Sequence, residues 1–314
     1  MITVTTTRPK SATSRWLASG LAATGVLVIF FLVWRVGPHA VLRALASVGP
    51  GFIAILIAPL GGMALHCWGW LSLLPASSRP SPRAALAAYV AAQAGDELGA
   101  GIGGEPLKVL VMPDKRRARA AATLALDNAA QLMALGIFML TAALVIFRSS
   151  ILAVAGLGLA AAGLAVPLVL PGMLRRATRG SRWPWVRRLA RIGGLTSLAL
   201  RARPRRMLAG VLLHLLGKAW IIPEMAIALF LLKAPPGLAL ALGSASVAGS
   251  VLGAFIPGQV GAIEAALAAA GGALGMEPTA VMAVALLRRI RGAAWIGLGF
   301  LLAGKVIERG RELV

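Results

Sequence analysis

Residues 238–275 read LALALGSASVAGSVLGAFIPGQVGAIEAALAAAGGALG, and they decide the fold. Their one ionisable side chain is Glu264. Two apolar runs flank a break at Phe255-Ile256-Pro257-Gly258-Gln259-Val260-Gly261. A broken helix at membrane depth is tolerated only where protein or a wet cavity covers its freed backbone. The stretch therefore predicts a helical hairpin that enters a membrane and returns to the side it came from. Residues 83–112 are an object of the same kind, broken by the Gly-rich run from Gly95 to Gly104.

The rest of the chain agrees. Of its 314 residues 59% are apolar and 13% charged, with a mean hydropathy of +0.84. A soluble domain carries about 25% charged and 45–50% apolar residues, so a water-soluble globule is excluded. Disorder, which needs low hydrophobicity, is excluded too. What remains is an all-α, polytopic helical membrane protein. The single cysteine, Cys67, allows no internal disulfide. Three scattered histidines without a CxxC pair give no structural zinc site, and no cofactor is expected.

Six full crossings are expected, at 16–36, 51–74, 120–147, 151–170, 207–232 and 279–303, besides the two broken hairpins. The first follows a polar, basic stretch without a convincing cleavage site, and reads as a retained anchor. The net charge of +22 tests the topology. With a cytoplasmic N-terminus, 23 Lys and Arg fall in cytoplasmic segments, eleven of them in the loop 171–206. Arg35, Arg43, Arg148 and Lys233 fall on the other side. That asymmetry orients the chain with both termini in the cytoplasm, and the Ala-, Leu-, Gly- and Arg-heavy composition suggests a GC-rich bacterium, whose inner membrane is the expected location. The basic loop, with a possible interfacial helix at 184–200, then serves orientation and attraction to anionic lipid rather than nucleic acid. The domains are a cytoplasmic segment 1–15, one membrane domain 16–304 and a tail 305–314.

An internal repeat follows from paired motifs. His66-x-x-Gly69 returns as His214-x-x-Gly217, and Gly101-Ile-Gly-Gly104-Glu105 is echoed by Gly258-Gln-Val-Gly261-Ala-Ile-Glu264. Repeat one covers about 51–147 and repeat two about 207–304. Under the charge-derived topology the two are inverted across the membrane, as in many secondary transporters.

Six acids, Asp96, Glu97, Glu105, Asp127, Glu224 and Glu264, and five bases, Lys108, Lys218, Arg288, Arg289 and Arg291, lie in or beside these apolar segments. At about 3 kcal/mol each at a helix centre, exposing all of them to lipid would cost roughly 30 kcal/mol. They are expected to pair or to line a polar central cavity. Glu105 and Glu264 suit helix starts, either as caps tying down the broken helices or as carboxylates offered with amide ends to a headgroup. Arg288 and Arg291 share a helix face, with Arg289 about 100° away. A guanidinium fits a phosphate, but an ion pair with Asp127 or Glu264, or a helix end reaching to the interface, explains an arginine as well. His66 and His214 read as satisfied packing residues, with a proton relay as the other reading.

At these residues the chain resembles the flippase-like family known from the transmembrane region of lysylphosphatidylglycerol synthases. The carrying motifs are Gly103-Gly104-Glu105-Pro-Leu-Lys108, Asp127 in the next helix, and Pro257-Gly258-Gln-Val-Gly261-Ala-Ile-Glu264. Arg289 falls where the family has an arginine. A hopanoid-cluster subgroup is a plausible nearer relative. The chain departs from the family pattern at Asp96 and Glu97, at Asn128 and at Lys108, changes that bear on the substrate more than on the fold. The resemblance implies lipid translocation without the soluble synthase domain. Its substrate-binding residues would be Glu105, Asp127, Glu264, Arg289, Arg288, Gly104, Gly258, Gly261, Asp96, Glu97 and Lys108.

The leading expectation is a lipid transporter rather than an enzyme, handling membrane lipids with an anionic or zwitterionic headgroup. Two alternatives stand beside it. One is an integral-membrane enzyme using Asp96, Glu97 and Asp127 on a lipid-linked group. The other is a scaffold for lipid-biosynthesis proteins.

Overall fold

The structure, a computed structural model, describes residues 37–98, 104–112, 114–177 and 204–312, with Phe30 and Trp34. Most of the first expected crossing and the expected interfacial helix lie outside the described residues. Within them the chain is helical and holds no strand. The helices are α1 (Pro38–Val48), α2 (Phe52–Ile57), α3 (Pro59–Leu73), α4 (Pro82–Leu98), α5 (Glu105–Leu110) and α6 (Asp114–Ala142). They continue with α7 (Ser150–Ala177), α8 (Pro204–Ala219), α9 (Ile221–Leu231), α10 (Ala239–Leu252), α11 (Ala262–Ala273) and α12 (Pro278–Glu312).

Three stretches, Leu45–Leu73, Ala122–Phe147 and Pro204–Leu231, are long and apolar enough to cross a membrane. They coincide with the second, third and fifth expected crossings. The outer surface carries exposed Ile151, Phe230, Phe255 and Leu301, side chains suited to acyl tails.

Prolines punctuate two of these stretches. Pro59 has no N–H to give the preceding turn, and α2 ends just before it. The indoles of Trp295 and Trp220 donate to the carbonyls of Leu56 and Ala58 at this break, at 2.9 and 2.7 Å. Pro223 likewise leaves the Ala219 carbonyl without its helical donor, and the chain breaks at Trp220 between α8 and α9.

Small residues set the helix packing, as expected where lipid gives no hydrophobic drive for helices to associate. Gly136 of α6 lies against the backbone of α7, where an added Cβ would come 2.3 Å from the Ala160 nitrogen. Gly299 of α12 sits equally tightly on Ala94 of α4. Helices α3 and α8 run antiparallel, with Gly62 against Gly217 at one end and Leu73 against Gly210 at the other. Between those ends, Gly69 lies under the His214 ring and Gly217 under the His66 ring, each at 2.8 Å from a notional Cβ. The two H-x-x-G motifs thus grip each other reciprocally.

The apolar stretch 238–275 folds mainly as α10 and α11, which pack on each other. The turn between them needs positive φ at Gly258 (64°) and Gly261 (85°), conformations that cost a non-glycine residue roughly 1–2 kcal/mol. Helices α4 and α5 also pack together, and residues 99–103 between them lie outside the described residues. The Gly104 N–H donates to Asp96 Oδ1 at 2.8 Å, tying the start of α5 to α4.

Candidate functional site

A cavity of about 700 Å3 lies among α3, α4, α6 and α8 to α12. Most of its wall is apolar or small, but Asp96, Lys218, Glu224, Glu264, Arg288, Arg289 and Arg291 all border it, as does His66. Four cations therefore meet three carboxylates around one cavity.

On one side the break between α10 and α11 is organised by Glu264 and Arg289. The Glu264 carboxylate is buried, and its Oε2 accepts the Gly261 N–H at 2.7 Å. It thereby caps its own helix from the third position, the first of the two roles the sequence offers for it. Arg289 then closes over it. Its Nε donates to Glu264 Oε1, and its Nη2 donates to Glu264 Oε2 and to the Gln259 carbonyl, both at 2.9 Å. Its Nη1 donates to the Gly258 carbonyl. The planar fork thus satisfies a carboxylate and two carbonyls that the turn leaves without helical donors. The Arg289 side chain keeps 27% of its surface exposed toward the cavity side, against 1% for Glu264.

The neighbouring arginines have separate partners. Arg291 pairs with Glu224 of α9. This corrects the expectation of Asp127 or Glu264 as its partner. Residue 291 follows Arg289 by two positions, about 200° round α12, and so turns away from α11 to face α9, where Pro223 and Glu224 open the helix. Arg288 donates to the Ser246 hydroxyl of α10.

A second polar cluster stands behind the opposite wall. Asp127, fully buried in α6, has Oδ1 2.8 Å from His214 Nε2. Its Oδ2 accepts from Gln131 Nε2 at 3.0 Å and lies 3.4 Å from Lys108 Nζ. Lys108 is also buried, donates to Glu105 Oε1 at 2.9 Å, and sits 4.8 Å above the Tyr89 ring. His214 in turn meets His66, Nδ1 to Nδ1 at 2.9 Å. Burying a lysine is tolerable only with such pairing, because an unpaired charge would cost several kcal/mol.

The expected site residues therefore divide. Asp96, Gly258, Glu264, Arg288 and Arg289 line the cavity. Asp127, Lys108 and Glu105 form the cluster behind it, Gly104 joins α4 to α5, and Gly261 shapes the α11 start. Glu97 falls in the last turn of α4. His66 and His214, read as packing residues, bond to each other and to Asp127. Gln131, Tyr89 and Ser246 were not singled out by the sequence. Gln131 was findable, since it follows Asp127 by one helical turn. Among the described residues no three His, Cys, Asp or Glu side chains gather as a metal site requires.

The family model for the lysylphosphatidylglycerol synthase TM region matches residues 16–298. The chain belongs to that family. As a member it is a helical membrane protein, from a family linked to lipid modification or transport. No curated protein and no solved structure matches it.

Proposed function

We propose that this family member is an inner-membrane lipid transporter of the flippase kind. A polar headgroup, anionic or zwitterionic, enters the central cavity while its acyl tails stay in the bilayer. The two halves act as inverted repeats, and rocking one against the other exposes the cavity to each leaflet in turn. Two features support the inversion: the antiparallel α3–α8 contact, and the reciprocal grip of its two H-x-x-G motifs.

The observation that carries the reading is the cavity itself. It is about 700 Å3, bordered by elements of both halves, and cations outnumber carboxylates on its wall. Arg289 presents part of its guanidinium there while Glu264 and the Gly258 and Gln259 carbonyls fix its position, so a phosphate oxygen would meet a preorganised donor. The apolar remainder of the wall suits the glycerol and upper acyl region.

The test is reconstitution into vesicles holding fluorescent lipids of zwitterionic, anionic and lysyl-modified headgroup classes. Accessibility to a membrane-impermeant quencher reports transbilayer exchange. The reading expects exchange above the protein-free rate for at least one class. Exchange at the protein-free rate for every class, with protein shown to be folded, contradicts it.

A further inference from the structure

We propose that His66, His214 and Asp127 form a proton relay that couples proton entry from the cavity to the contact between α3 and α8. The proposal rests on the transporter reading and adds the coupling ion to it. His66 lines the cavity, whereas His214 and Asp127 are fully sealed from it. The three groups are linked in series by contacts of 2.9 and 2.8 Å, short enough for direct proton transfer. The chain runs from the cavity wall on α3, through α8, to the carboxylate of α6.

Counting hydrogens fixes what the relay can hold. An ionised Asp127, beside Lys108, can only accept, so His214 Nε2 carries a hydrogen. The Nδ1–Nδ1 contact holds one hydrogen, donated by one ring to the other. In the resting state His66 Nδ1–H donates to His214 Nδ1, and His214 Nε2–H donates to Asp127. A proton from the cavity binds His66 Nε2. The Nδ1 hydrogen of His66 then passes to His214 Nδ1, and the Nε2 hydrogen of His214 passes to Asp127 Oδ1. Each transfer breaks one N–H bond and forms one N–H or O–H bond. The sum is one proton moved from the cavity to Asp127, with both rings neutral again and their hydrogen bond reversed.

Two mechanical consequences follow. A neutral Asp127 no longer attracts Lys108, which loosens the tie between α5 and α6. Full protonation of both rings places a hydrogen on each Nδ1 and breaks the contact where α3 and α8 grip each other. The other titratable or charged groups facing the relay are Cys67 of α3, Tyr89 of α4, Glu105 and Lys108 of α5, and Lys218 of α8. The two lysines resist a second positive charge on the pair, so its arrival acts on the helix contact rather than being absorbed locally.

The test uses the full chain in lipid nanodiscs. Spin labels replace the exposed residues Trp68 of α3 and Leu212 of α8, in a Cys67→Ser background. Distances are measured between about pH 8 and pH 5, where histidine changes charge. The expected result is a shift of the α3–α8 distance distribution on acidification, abolished in His66→Gln. Lipid exchange by the same unlabelled protein is expected to change at least about fivefold across that range, the low end for linked sites. A distance distribution that does not move between the two pH values overturns the relay, whether or not lipid is exchanged. A pH-dependent, His66-dependent shift without lipid exchange supports the relay and instead removes the transporter reading. His214→Gln is a secondary variant, because a sealed residue can fail to fold. The wild-type measurement decides without it.

Discussion

The Arg289 guanidinium spans the Glu264 carboxylate and the carbonyls of Gly258 and Gln259, so a single ion pair holds the break between α10 and α11 in shape. The charge that a bilayer would penalise is spent on backbone groups that a bilayer would also penalise. This joint satisfaction gives the interrupted helix partners for the backbone groups its break would otherwise leave bare.

Glu264→Gln tests that dependence. It removes one charge of a largely buried pair and leaves Arg289 with neutral acceptors. The expected loss is about 3 kcal/mol, the lower part of the range for breaking a buried pair. Thermal unfolding in detergent checks it. Arg289→Lys is expected to lose stability as well, because the three donors of an ammonium, all on one atom, cannot span the four oxygens that the guanidinium reaches.

The reciprocal glycine contacts predict a matched pair of effects. Gly69→Ala and Gly217→Ala each drive a methyl into a histidine ring and are expected to cost about 1–3 kcal/mol by overpacking. Gly158→Ala in α7 meets nothing within 4 Å, and is expected to be neutral or to stabilise by up to about 1 kcal/mol through helix propensity. Melting temperatures of the three variants in one detergent separate the two cases.

Asp127 and Lys108 predict non-additivity. Asp127→Asn alone leaves a buried ammonium with Glu105 as its remaining carboxylate partner, and Lys108→Met alone removes a cation from beside Asp127. Each single change is expected to cost about 3–5 kcal/mol. The double variant is expected to recover about 1–3 kcal/mol relative to their sum, measured by a double-mutant cycle.

Much of this architecture was legible in the sequence. Apolar run lengths located three of the spanning stretches, and the Gly-x-x-Gly-x-x-Glu break located both the turn and its capping carboxylate. The H-x-x-G repeat was visible as a spacing of 148 residues, but its meaning was not. The charge-derived inversion makes the two helices antiparallel, but nothing in the spacing says that their histidines and glycines will meet and interlock. The Arg291–Glu224 pair was hidden for a similar reason. It joins residues 67 apart on helices whose facing sides depend on the breaks at Pro223 and Gly258. Lys108 was obscured by its neighbours in sequence, since its partners come from α5 and α6 together.

The most direct measurement of the central claim is lipid exchange by a Gly292→Trp variant. Gly292 borders the cavity, and a Cβ there meets nothing within 4 Å, so the substitution starts without a clash and its indole is expected to fill the chamber. The expected variant keeps wild-type thermal stability while its exchange falls to the protein-free rate. Wild-type exchange from the folded, indole-blocked protein would contradict passage through this chamber.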